Sequence, residues 1–261
     1  LSKRRKQTMF TGIVAAIGSI RQVSPLGEDG VRLDVAAGEL DMSDVAIGDS
    51  IAIQGACMTV VEKTADGFAV DVSAESLRRT TGLAGTGPVN LEKAMRLSDR
   101  VGGHLVSGHV DGLGVVRRFE PVGESHLLEI LAPQALAGFL VYKGSITVDG
   151  VSLTVNHVED LPLAKAVDPA WPEAARAVLA GRGPSVASAG APGTATGAHG
   201  GAHAESEPWC CAFQINLIPH TVAQTTLKHQ APGRLVNLEI DTVARYLARM
   251  QEVAGKLPAQ N

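Results

Sequence analysis

Two short segments, GACMT (55–59) and GVSLT (150–154), set Cys57 and Ser152 at the same place in one pattern. Hydroxyls on Ser50, Ser152 and Thr154 can bond the polar edge of a ligand, and Lys143 offers a cation to developing negative charge. His104, in GGH, and His109, in SGH, carry a side chain suited to proton transfer near neutral pH. Each also has an ordinary reading. A lone strand cysteine is a small buried hydrophobe, the hydroxyls and histidines can be structural, the lysine solvated. Asp241, just ahead of an amphipathic stretch, suits a helix N-cap. Three cysteines, two of them adjacent (Cys210, Cys211), make neither a disulfide framework nor a zinc site. His199 and His203 sit four apart in a low-complexity tract with no partner ligands nearby, so no metal and no cofactor are expected.

The elements that must position these residues come from an internal repeat. GDSIAIQGACMTVVE (48–62) returns as KGSITVDGVSLTVNH (143–157), 95 positions later. FAVDVSAESLRRTT (68–81) returns as FQINLIPHTVAQTT (213–226), now 145 positions later, and VNLE (89–92) returns as VNLE (236–239). The jump in offset places extra residues inside the second copy. Composition finds them independently: 162–208 is rich in Ala, Gly, Pro, Ser and Thr and reads as a flexible insertion, with a short helix surviving near 172–180.

Within each copy the apolar residues alternate in short runs punctuated by Gly and Asp-Gly, the pattern of small antiparallel sheets. Many short strands of this kind suit a small antiparallel barrel or sandwich, and the fold class is read as all-β: two tandem barrels from an internal duplication, roughly 9–105 and 106–238, with a C-terminal α-helix over 239–257. In that helix Val243, Leu247, Met250 and Val253 form an apolar stripe. It packs either on its own barrel or on copies of itself. The basic residues 1–8 read as a disordered extension ahead of Met9.

Among 261 residues, a net charge of −4 argues against a nucleic-acid partner. No apolar run approaches the roughly 18 residues of a membrane-spanning helix, and a soluble, cytoplasmic protein is expected. No G-x-G-x-x-G follows a strand, which disfavours a nicotinamide-dependent flavin reductase.

MFTGIV (9–14), GACMTVV (55–61), DRVGGHLVSGHVDG (99–112), KGSITVDGVSLTVN (143–156), NLIPHT (216–221) and VNLEID (236–241), in this order, resemble the riboflavin synthase family. The resemblance covers nearly everything except the extension, the insertion and the last few residues. It implies an enzyme that dismutates two molecules of 6,7-dimethyl-8-ribityllumazine, yielding riboflavin and 5-amino-6-ribitylaminouracil. It further implies two tandem six-stranded antiparallel Greek-key barrels, a homotrimer bundled by its C-terminal helices, one lumazine per barrel, and an active site between neighbouring subunits. An enclosing assembly with lumazine synthase stays open as a further partnership. A non-catalytic antenna-type binder of the same fold is the alternative.

Carried onto this chain, the resemblance makes Cys57, Ser50, His109, Lys143, Ser152 and Asp241 the candidate catalytic set. The first pocket would be lined by Cys57, Met58, Thr59, Asp71, Val72, Ser73, Ala74, Glu75 and Ser76. The second would be lined by Lys143, Ser152, Leu153, Thr154, Ile218, Pro219, His220, Thr221, Val222 and Ala223. Gly12, Ile13 and Val14, with His104, Gly108, His109 and Val110 near the barrel junction, complete the binding set. Phe10 either closes over a bound ring or packs in the core.

Overall fold

A computed structural model describes residues 8–27, 30–182 and 207–254. The first repeat contains β1 (Ala16–Leu26), β2 (Gly30–Ala36), β3 (Ser50–Ile53), β4 (Ala56–Lys63), β5 (Gly67–Val72), helix α1 (Ala74–Arg79) and β6 (Gly87–Lys93). These strands close an antiparallel barrel in the order β1-β2-β5-β4-β3-β6. Alternation decides which side chains fill it. Along β4, Ala56, Met58 and Val60 enter the barrel core with Ile51, Ile53, Phe68 and Leu91, which leaves Cys57 and Thr59 on the outside.

The second repeat begins with β7 (Gly112–Val122), β8 (Ser125–Pro133), α2 (Gln134–Ala137), β9 (Ser145–Val148), β10 (Val151–Thr154) and β11 (His157–Pro162). It continues through α3 (Leu163–Ala166), α4 (Glu173–Leu179), β12 (Trp209–Leu217), α5 (Pro219–Gln224), a 3-10 turn (Thr226–His229) and β13 (Leu235–Ile240). Its seven strands run β10-β9-β13-β7-β8-β12-β11, against the six expected. The extra strand is a break rather than an addition. β10 pairs with β9 and β11 with β12, the two jobs that β4 performs alone by way of a register shift between Val60 and Glu62. At the break the Val155 N–H bonds the Gly144 carbonyl and the Asn156 N–H that of Gln214.

The short helix expected near 172–180 is present as α4, and the flexibility expected of the rest of 162–208 is corrected for 163–171, which packs with it. Ala166, Ala175, Val178 and Leu179 are buried against Leu113, Val115, Leu131, Cys210 and Ala212 on the outer face of the second sheet. Residues 183–206, with His199 and His203, lie outside the described residues, as do residues 1–7 and 255–261. Thr8 is described: its hydroxyl lies 3.2 Å from that of Ser50.

The repeats meet through the tips of two hairpins. Gln54-Gly55 joins β3 to β4 and Asp149-Gly150 joins β9 to β10, all four residues with positive φ, as a two-residue type I′ loop requires. The tips touch back to back: a Cβ on Gly55 would meet the Gly150 nitrogen at 2.7 Å, and one on Gly150 the Gly55 nitrogen at 2.9 Å. Around them the buried Asn90 amide donates to the Asp149 carbonyl (2.8 Å), and that of Asn237 donates to the Gln54 carbonyl (2.9 Å). The Asn90 Oδ1 accepts from the Thr226 N–H and the Asn237 Oδ1 from the Thr81 N–H, so each repeat's asparagine binds the other repeat.

Helix α6 (Thr242–Ala254) follows β13. Asp241 Oδ1 accepts from the Val243 N–H at 2.8 Å, the N-cap expected of it. Arg245 grips Asp111 at 2.6 and 2.9 Å and so ties the helix to the start of β7.

Candidate active site

Two segments cross between the repeats. The first, around Gly12, lies over the second repeat: the Ser152 N–H donates to the Gly12 carbonyl at 2.8 Å, and Val14 packs on the second core. The second, around Gly108, lies over the first: the Cys57 N–H donates to the Gly108 carbonyl at 2.8 Å, and Val110 packs on the first core. Each crossing turn is fastened by a buried carboxylate. Glu92 accepts from the Thr11 N–H and hydroxyl and the Gly12 N–H, at 2.7–3.0 Å. Glu239 accepts the same three bonds from Ser107 and Gly108, at 2.6–3.0 Å. Burial pushes both carboxyls up, with these bonds opposing it. The sequence reading missed both glutamates, although they end the repeated VNLE segments.

Crossing places each candidate pocket on the outer face of a hairpin. On β3–β4 burial pushes the Cys57 thiol up, with the Ser50 hydroxyl opposing it, so the thiol stays protonated at neutral pH. On β9–β10, His104 Nδ1 lies 2.7 Å from Ser152 Oγ and His104 Nε2 lies 3.3 Å from Thr147 Oγ1. Burial holds this imidazole below its ordinary value, while the Asp241 carboxylate pulls it the other way. Thr147 was not anticipated, since the first repeat has Ala52 there.

The other expected residues divide into open and closed. Thr59, Thr154, Ile13 and His109 are exposed beside these faces, and Lys143 is exposed, its ammonium 3.4 Å from Asn156 Oδ1 and over the Tyr142 ring. Ser73 caps α1 by accepting from the Ser76 N–H, and Glu75 pairs with Arg78 and Arg79. Asp71 pairs with Arg32 at 2.7 Å, and the pair lowers its carboxyl. In the second repeat, Ile218, Pro219 and His220 open α5 with no such cap, followed by Thr221, Val222 and Ala223. Ala74 stands at the same point of α1 as Pro219 of α5. Phe10 is fully buried with Ala52 and Val106, which selects core packing for it. Met58 and Val72 point into the first core and Leu153 packs against the second, so these three support the pockets from behind.

A closed barrel and a repeat-related second sheet whose linking segments cap each other's hairpins define a recognisable class. The family model described as the lumazine binding domain matches residues 11–94, 107–169 and 163–241. The chain is 36% identical over 248 residues to riboflavin synthase of Photobacterium phosphoreum, spanning 93% of this chain and 88% of that protein. It is also 36% identical to riboflavin synthase of Mycobacterium bovis over 95% of this chain and all of that one, and 32% identical to that of Bacillus subtilis over 97% and 94%. The chain belongs to the riboflavin synthase family. Its fold is shared with LumP solved with 6,7-dimethyl-8-(1'-D-ribityl) lumazine, at TM-score 0.60 and 18% identity, over 88% of this chain and 98% of that one. LumP complexed with riboflavin superposes at TM-score 0.64.

Proposed function

We propose that this protein dismutates two molecules of 6,7-dimethyl-8-ribityllumazine into riboflavin and 5-amino-6-ribitylaminouracil, a transferase reaction in which a four-carbon unit passes from one lumazine to the other. The observation that carries this reading is the pair of equivalent hairpin faces with unequal side chains, Cys57 and Ser50 on one and Ser152, His104 and Thr147 on the other. A reaction between two copies of one substrate needs two related sites and unequal treatment of the two. Holding both lumazines makes their encounter effectively unimolecular. One must lose a proton from its 7-methyl group while the other accepts the resulting carbanion. The protein's work is orientation, proton transfer and hydrogen bonding at the ring edges, and the exposed Lys143 can meet developing negative charge.

The reading extends to a cytoplasmic homotrimer, with the first-repeat face of one subunit opposite the second-repeat face of its neighbour. Helix α6 supports it: no residue of α6 is buried, and Val243, Tyr246, Leu247 and Met250 form an apolar stripe exposed by 54–67%. Leu247→Glu combined with Met250→Glu should reduce the sedimenting species from three copies to one and abolish turnover while each chain stays folded. A double variant that stays trimeric would remove α6 from the interface.

Purified protein incubated with 6,7-dimethyl-8-ribityllumazine should form riboflavin, followed by absorbance, at a rate lowered in Cys57→Ser and Asp241→Ala. Tight lumazine binding without turnover would overturn the enzyme in favour of a carrier.

A further inference from the structure

His104 is the one imidazole among the described residues held between two hydroxyls. Its backbone is pinned where the first crossing segment passes, the His104 N–H donating to the Thr11 carbonyl at 3.2 Å. Its ring spans the outer face of β9–β10, Nδ1 on Ser152 and Nε2 on Thr147. A neutral imidazole has one N–H and one lone pair. With a hydroxyl at each end, the chain of bonds can run from Ser152 O–H into Nδ1 while Nε2–H donates to Thr147. The Ser152 oxygen then turns its free lone pairs toward whatever lies against the hairpin.

The first repeat cannot do this. Cys57 stands where Ser152 does and Ala52 where Thr147 does, and Thr8, at the corresponding point of its own crossing segment, meets Ser50. His109, on the segment above Cys57, is exposed and bonds none of these groups. The two faces therefore differ in kind: one offers a proton acceptor backed by a histidine, the other a thiol that keeps its proton.

We propose that the second-repeat face holds the lumazine that loses its 7-methyl proton, with Ser152 the catalytic group that takes the proton and His104 the positioning residue that receives Ser152's own. This rests on the reaction proposed above and assigns its two roles. The methyl C–H breaks, its electron pair passes into the conjugated ring, and the proton goes to Ser152 Oγ as the hydroxyl proton moves to Nδ1. His104 becomes imidazolium, its Nε2–H held by Thr147, and returns the proton when the products form, so none is consumed. The first-repeat face holds the partner that is attacked. The charged group whose field reaches His104 is Asp241, at the start of α6.

Exchange of the 7-methyl protons in D2O, read by proton NMR, isolates this step from riboflavin formation. His104→Gln should lose roughly a hundredfold of the catalysed exchange measured at saturating lumazine. Because Asp241 holds the imidazole up, Asp241→Asn should move the acid limb of the exchange profile to lower pH. Should His104→Gln fail to fold by thermal melting, Thr147→Ala decides, since it keeps the imidazole but removes the acceptor for the imidazolium Nε2–H; its acid limb should also fall. Undiminished exchange in His104→Gln, or acid limbs that stay where the unaltered protein has them, would overturn the assignment. Absence of riboflavin from the unaltered protein would instead overturn the enzyme reading, and exchange can be scored in either case.

Discussion

On the first repeat the outer face of β3–β4 carries Ser50, Ala52 and Cys57; on the second the matching positions of β9–β10 are Ser145, Thr147 and Ser152. Behind them the barrel-facing residues Ile51, Ile53 and Ala56 have close counterparts in Ile146, Val148 and Val151. Fastening follows the same division, with Glu92 and Glu239 making one set of bonds twice. What the chain duplicates faithfully is the scaffold, and what it varies is whatever looks outward. The far side of the sheets obeys the rule too: Ser19 and Ala36 in the first repeat become Val115 and Leu131 in the second, where α3 and α4 cover them. It is this apolar outer face that the folded part of the insertion packs against.

The largest test of this likeness lies where it fails inside the scaffold. At the hairpin tips Gln54 is neutral, whereas Asp149 is a fully buried carboxyl whose oxygens accept from the Asn237 N–H (2.8 Å) and the Gln230 amide (3.1 Å). Burial pushes it up to about 7, with the Arg234 field opposing. A carboxyl raised in the folded chain binds its proton more tightly there than when unfolded. Stability is thus greatest while both states are protonated and is lost as pH climbs from about 4, the ordinary value, to about 7. Asp149→Asn, which makes this tip neutral like the other, should remove that slope. Its advantage over the unaltered protein should be on the order of 4 kcal/mol above pH 7 and vanish near pH 4. Urea unfolding at several pH values measures it, and parallel curves for the two proteins would show that Asp149 is charged and tolerated.

A smaller effect tests whether the fastenings are equivalent. Glu92→Gln and Glu239→Gln each set an amide against backbone donors, and each should cost about 2–3 kcal/mol, since buried donors lose their acceptor. The two costs should agree within the scatter of a denaturation midpoint. A large inequality would mean that one crossing segment is held by something else, and Glu239→Gln, next to Cys57, should then also report in turnover.

Much of this was legible in the chain. The offsets between copies located both repeats, and the matching of Cys57 to Ser152 located the two equivalent hairpin faces, because strand alternation ties sequence position to side. The crossing of segments 10–14 and 106–110 was not legible, since nothing in local pattern tells a strand which repeat it will cover. Thr147 was overlooked for the same reason that makes it informative: its counterpart is Ala52, and a search by identity passes over positions where the copies disagree. Within the insertion the short helix near 172–180 was legible, but the packing of Leu163, Ala166 and Trp171 with it was lost among their small neighbours.

The smallest effect concerns Lys143, which adopts φ 65° where the first repeat places Gly48 at φ 93°. For a side chain that conformation costs about 1 kcal/mol, and glycine is free of it. Backbone strain of this kind clusters at functional sites, and here the ammonium stands exposed beside the second-repeat hairpin. Lys143→Gly should therefore raise the unfolding free energy by about 0.5–1 kcal/mol while lowering turnover, the two changes moving in opposite directions. Lys143→Ala separates them further: it keeps the backbone strain and loses the ammonium, so turnover should fall as in the glycine variant with no gain in stability. If both variants turned over at the full rate, the lysine would drop out of the site, and the distinction between the two faces would rest on Cys57 and on the Ser152, His104 and Thr147 set alone.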